Sequence, residues 1–159
     1  MNIQAQMCGI ILLVIMILFY MRYESLRLST QIAFQVLMAG MLLCVFCDML
    51  SIWAIVRLLL DHRAAVLVIC KIYLMTIVLV SLLGFIYECT DVYGVRKKMM
   101  RVAAAGCSIF LAECVVIACL PIGIYKMGRV VYTAGPAVLA TYAFAGSFVV
   151  TNIVFTIRM

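Results

Sequence analysis

From Ile32 to Val56 the chain carries one charged side chain, Asp48, and the same pattern recurs along the sequence. Lys71 is the sole charge between residues 64 and 87, Glu113 the sole charge between 102 and 120, and residues 6–20 and 137–157 carry none. A hydrocarbon core about 30 Å thick is crossed by about 20 apolar residues in a helix. Lipid offers the backbone no hydrogen bonds, so a crossing segment must satisfy its own amides, which favours helices. The runs therefore predict an all-α integral membrane protein, a bundle of five transmembrane helices over residues 6–20, 32–56, 64–87, 102–120 and 137–157.

Composition agrees with this reading. The 159 residues are 69% hydrophobic and 11% charged, with a mean hydropathy of +1.30, whereas soluble domains hold roughly 45–50% apolar and about 25% charged residues. The first run is short and near the N-terminus, but it lacks a basic flank and a small-x-small cleavage site, so we read it as a retained span. The connections, residues 21–31, 57–63, 88–101 and 121–136, are too short for a folded domain. One membrane domain over residues 1–159, in contact with the lipid bilayer, is expected.

A formal charge of +6 raises the question of nucleic acid. The basic residues, however, gather between the apolar runs rather than on one face, so no nucleic-acid partner is expected. Arg22, Arg27, Arg96, Lys97, Lys98, Arg101 and Arg158 fall on one side of the membrane, against Arg57, Arg63, Lys126 and Arg129 on the other. The excess marks the first side as cytoplasmic, with the N-terminus outside and the C-terminus inside. Tyr20, Tyr23, Tyr87 and Tyr93 then mark the inner interface, and Trp53, Tyr125 and Tyr132 the outer one. His62 reads as a solvated loop residue.

Catalytic chemistry is not expected. There is one His and no Ser/His/Asp set, and no cofactor site is read. Of the eight cysteines, most lie inside apolar runs, where Cys acts as a small hydrophobe. Cys44 and Cys47 form a C-x-x-C pair, but no His or second pair completes a metal site.

Asp48, Lys71 and Glu113 remain as the candidate site. Each lies roughly 10–12 Å below the outer end of its span at 1.5 Å per residue. Charges inside a membrane are costly and mark function or pairing. One reading is an intramembrane polar cluster open to the outside, with hydroxyls from Tyr73, Thr76, Thr141 and Tyr142. The other is a structural ion pair that fixes helix register. Small residues repeat on the helices: Gly40, Cys44, Cys47 and Ser51; Ala104, Ser108 and Ala112, with Gly106 and Glu113 on a shared face; and Ala143, Ser147 and Thr151. Such stripes mark helix–helix contacts, read first as contacts within the chain, with a homodimer as the alternative.

The segment Gly128–Tyr142 contains Gly135-Pro136, with Pro136 suited to the first turn of a helix. It reads as a shaped loop whose Tyr132 and Tyr142, with Gly135, Pro136 and Thr141, form the mouth of the polar pocket. Its Tyr-Thr-x-Gly-Pro-x-Val-x-x-Thr-Tyr pattern resembles the N-terminal membrane region of clostridial-type diguanylate cyclases. So do Cys47-Asp-Met-Leu-Ser-Ile-Trp-Ala-Ile55 and Cys70-Lys-Ile-Tyr-Leu74. The resemblance covers nearly all of the chain in span order. It implies a sensor region in a bacterial cell (inner or plasma) membrane, followed by more helices and a cytoplasmic GGDEF domain that makes cyclic di-GMP.

This chain carries no GGDEF sequence, so the resemblance carries over no catalytic residue and points to a downstream or partner cytoplasmic effector. The expected function is a membrane signal-transducing module. The alternatives are a small transporter or ion-pathway subunit, disfavoured by the lack of an inverted repeat, and a structural membrane subunit.

Overall fold

The computed structural model describes residues 9–11, 13–18, 28–58, 62–93, 97–127 and 130–157. Five helices appear in chain order: α1 (Gly9–Leu18), α2 (Leu28–Leu58), α3 (Arg63–Tyr93), α4 (Lys97–Cys119) and α5 (Pro136–Ile157). Between α4 and α5 lie two strands, β1 (Gly123–Met127) and β2 (Val130–Ala134). The last four helices are long and apolar enough to cross a membrane. This is an all-α membrane protein. The described part of α1 is shorter than a crossing takes, and residues 6–8, 12, 19 and 20 of the expected first span lie outside the described residues.

Helices α2 and α3 have 31 residues each, about 46 Å at 1.5 Å per residue. They outrun the apolar cores at residues 32–56 and 64–87 because nothing in their flanks breaks a helix. Helices longer than the hydrocarbon layer tilt or project from it. His62 joins them: its N–H donates to the Leu58 carbonyl at 2.8 Å and its own carbonyl accepts from Val66 at 3.2 Å. One residue thus closes one helix and opens the next.

The end of α4 and the start of α5 are set by proline and glycine. Leu120 N–H still reaches the Val116 carbonyl at 2.9 Å, but Pro121 has no N–H to continue the ladder. Gly135 stands at φ +140°, a region reserved for glycine. Its carbonyl accepts from both Val138 and Leu139 at 3.1 Å, with Pro136 in the first turn, where a missing N–H costs nothing. A Cβ on Gly135 would stand 3.0 Å from the Pro121 carbonyl.

The connection expected to be a loop is a β-hairpin. Strands β1 and β2 pair antiparallel, with Tyr125 opposite Tyr132 and Met127 opposite Val130. Only residues 128 and 129 separate the strands, a spacing that favours a tight hairpin. Ile122 and Ile124 pack against Ala54, Val66 and Cys70, covering the tips of α2 and α3.

Helix α3 is the hub. It packs against α2, α4 and α5, while α2 shares no extensive contact with α4 or α5. Val66, Cys70, Leu74, Val78, Leu82, Phe85 and Cys89 form its buried stripe, with Phe85 against Phe148 of α5 at a ring separation of 6.0 Å. The helices are apolar on every side, and the inward faces mix small and large residues: on α2, Leu37 and Met38 are buried as well. On α2, Gly40, Cys47, Ser51 and Ala54 are buried, while Ile32, Val36, Leu43, Phe46, Leu50 and Trp53 point outward. Lipid is as apolar as a leucine, so close helix packing selects small residues.

The stripes of α4 and α5 behave differently. Ala104, Ser108 and Ala112 are exposed, as are Ala143, Ser147 and Thr151. The buried face of α4 is Gly106, Glu113 and Ile117; that of α5 is Ala137, Thr141 and Phe148. These two small-residue stripes are therefore not the buried faces of their helices. Large residues, Ile117 and Phe148, fill the space beside α3 instead.

Candidate polar site in the membrane

The sequence reading placed three charges at one depth, and the helices keep them within about 9–15 Å of their ends nearest the hairpin at 1.5 Å per residue. Around the bundle they separate. Lys71 and Tyr73 are two residues apart on α3, a rotation of about 200° at 3.6 residues per turn. They point to opposite flanks.

On the α2 flank, Tyr73 faces Asp48. One turn along, the Cys44 thiol meets the Thr76 side chain. Further still, Gly40 faces Leu83 and Val80. Antiparallel helices bring these pairs into one ladder because residues four apart share a face. Tyr142 of α5 lies on the Tyr73 side of the bundle and is itself exposed.

On the α4 flank, the Lys71 ammonium donates to the Ala118 carbonyl. Ala118 lies in the last turn of α4, where carbonyls lack an intrahelical partner. A cation there also complements the negative end of the helix dipole. Lys71 is thus a cap supplied by a neighbouring helix. Gly106, facing Leu82, belongs to the same flank.

Glu113 is 1% exposed, and neither carboxylate oxygen has a hydrogen-bond partner among the described residues. It stands between Gly106 and Ile117 on the buried face of α4. A buried polar group left unsatisfied costs about 1–3 kcal/mol, and more if charged. Native structures hold few such groups, so each calls for a reason.

Two of the four hydroxyls expected to line a pocket, those of Thr76 and Thr141, are engaged in their own helices. Thr141 is fully buried and donates to Ala137 at 2.9 Å, and Thr76 donates to Tyr73 at 2.7 Å. Ser51, Thr90, Ser147 and Thr151 bond backwards in the same way. In lipid a hydroxyl has no water to turn to, and the carbonyl three or four residues back is the nearest acceptor. Tyr132 lies on β2 opposite Tyr125, and Gly135 and Pro136 form the strand-to-helix junction. Of the expected mouth residues, Tyr142 is the one brought to the Asp48 side. Cys44 went unnoticed as a polar partner because a cysteine in an apolar run reads as packing. The signal was its position one turn from Asp48.

Fold and site together define a polytopic helical membrane protein with polar contacts between its spans. Comparison with protein-family models, with curated proteins and with solved structures found no match.

Proposed function

We propose that this chain is a signal-sensing module of a bacterial inner or plasma membrane that biases a cytoplasmic effector, attached downstream or bound as a partner. The observation that carries the reading is the arrangement about α3. Its polar side chains face two neighbouring helices, Tyr73 toward Asp48 of α2 and Lys71 bonded to the end of α4, at similar depth. A ligand moves a two-state protein only by its differential affinity for the two states. Groups that tie helices together are where such a difference acts on packing. In this reading the hairpin end faces outward, and α5 passes the motion inward.

The test uses cells that carry the gene with its native downstream sequence, with cyclic di-GMP as the readout. Lys71→Met and Asp48→Asn should change the cyclic di-GMP level while membrane abundance stays constant. An unchanged level in stable variants overturns the reading. Reading the downstream coding sequence is a cheaper check: a GGDEF domain supports sensing, and an immediate stop codon weighs against an attached effector.

The buried Glu113 carboxyl favours one competing function, an ion-pathway subunit, because intramembrane carboxyls line such paths. Proteoliposomes with the purified chain decide between them. Ion flux abolished by Glu113→Gln would establish the pathway.

A further inference from the structure

Two contacts fix how α3 and α4 lie against each other. At one end Lys71 donates to the Ala118 carbonyl, and at the other Gly106 faces the Leu82 side chain. Glu113 lies between Gly106 and Ala118 on the buried face of α4, so it stands within this interface, against the stretch of α3 from Lys71 to Leu82. One turn further on the same face, Ile117 packs into the core with Leu74, Val78, Ala137 and Phe148. Glu113 is 1% exposed, and both carboxyl oxygens lack a hydrogen-bond partner among the described residues.

The described titratable groups of the neighbouring elements are engaged elsewhere. On α3, the Lys71 ammonium is held by Ala118, Cys70 packs with Ala54 and Val66, and Tyr73 faces Asp48. Tyr87 meets the Phe34 ring, and Glu88 and Cys89 lie past Leu82 toward the other end of α3. On α5, Tyr142 is exposed, and the buried Thr141 hydroxyl donates to Ala137. On α4 itself, Cys114 is the adjacent titratable side chain.

The space available selects the ligand. A hard divalent metal takes six or more oxygens, and no three His, Cys, Asp or Glu converge among the described residues. An organic or hydrated cation needs room, and a side chain 1% exposed offers none unless the helices part. A proton needs no room. It adds to one oxygen, removes the charge and leaves the apolar packing intact. An ionised carboxylate without water or counter-charge is so costly that such a group is neutralised instead.

We propose that Glu113 is a proton-binding site whose occupancy holds α4 against α3, the packed bundle being the loaded form and release of the proton opening this interface. On release the O–H bond breaks, its electron pair stays on the carboxylate and the proton passes to water. The negative charge then needs hydration, which the packed interface excludes, so the ionised form gains water by parting α4 from α3. Because the packed form takes the proton and the open form gives it up, acid favours packing and rising pH favours opening. One bound proton needs no continuous path through the bundle, which separates this site from ion conduction. The proposal names the signal of the sensor and rests on that reading for its biological use, while proton binding is measured apart from output.

The experiment is infrared spectroscopy and amide hydrogen exchange on the purified full chain in nanodiscs over a pH series. At neutral pH the wild type should show a protonated-carboxyl C=O stretch that Glu113→Gln lacks, and raising the pH should abolish it. Glu113→Gln is neutral at every pH and stands in for the loaded form. The ratio of wild-type to variant exchange therefore cancels the intrinsic pH dependence of amides. Between Gly106 and Ile117 that ratio should climb about tenfold per pH unit once the band is lost, as one linked proton requires. Should Glu113→Gln not fold, Glu113→Asp, which should shift the band, assigns it, and Glu113→Leu serves as the exchange reference. Identical carboxyl spectra of wild type and Glu113→Gln, or a Glu113 band that persists at the highest pH, overturn the proposal. So does a flat exchange ratio across the pH at which the band disappears. Band and exchange as expected, with cyclic di-GMP in cells unmoved by Glu113→Gln, would retire the sensor reading alone. Cyclic di-GMP that responds to Lys71→Met, with no Glu113 band, would retire the proton site alone.

Discussion

Lys71 and Glu113 illustrate how differently two charged groups within apolar spans can be accommodated. Lys71 finds an acceptor that exists only because α4 stops, the Ala118 carbonyl. A hydrogen bond to a charged group contributes about 1.5–3 kcal/mol. Lys71→Met should therefore lower the chain's stability in detergent by roughly that amount, and hydrogen exchange should speed up in the last turn of α4. Lys71→Arg, which can still donate, should recover most of the loss. Glu113 runs the other way. With no hydrogen bond to lose, replacement by an apolar residue of similar size, Glu113→Leu, should be neutral or stabilising by about 1–3 kcal/mol. A destabilised Glu113→Leu in equilibrium unfolding would mean that the carboxyl has a structural partner. If stability rises while function fails, Glu113 is retained for its chemistry.

At the scale of the element, close approach is set by two glycines. A Cβ on Gly40 would stand 2.5 Å from Leu83 Cδ1, and one on Gly106 would stand 2.8 Å from Leu82 Cδ1. Gly40→Ile and Gly106→Ile should each cost about 1–3 kcal/mol by forcing α2 or α4 away from α3. Gly146 meets nothing within 4 Å, so Gly146→Ile should leave the unfolding midpoint of the chain unchanged. The junction before α5 is a second point of constraint. Gly135→Ala places a Cβ in a conformation that only glycine adopts freely, with a cost of order 1–3 kcal/mol. Proteolysis of the strand-to-helix junction should accelerate in that variant; equal cleavage rates would show that the junction relaxes without strain.

For the whole molecule, the arrangement around α3 decides what the polar groups can do together. Four of the five spans were legible in the sequence because each carries no more than one charge over a membrane's width, and their order follows, while α2 and α3 run longer than their apolar cores. The hairpin was legible too, since two β-branched and aromatic runs flank Gly128 and Arg129, but as a connection between spans it read as a loop. Membrane orientation is a property of the whole chain and rests on the basic residues. A reporter fused after Met159 should be active in the cytoplasm; activity on the opposite side would place the hairpin and the polar groups toward the inner face.

The sequence by itself determined that the chain lives in lipid, where its helices run, and that Asp48, Lys71 and Glu113 are the groups that need explaining. It also determined their common depth, because rise per residue is fixed by helix geometry. Only the tertiary structure decided their partners. Rotation around a helix separates Lys71 from Tyr73, and the choice of neighbour on each flank comes from which small residues let helices approach. Gly40 admits α3 on one side and Gly106 on the other, while Ala104, Ser108, Ala143 and Ser147, equally small, stay outside. In lipid, where every face is apolar, the pattern of a single helix does not say which face will find a partner; the packing of the bundle does.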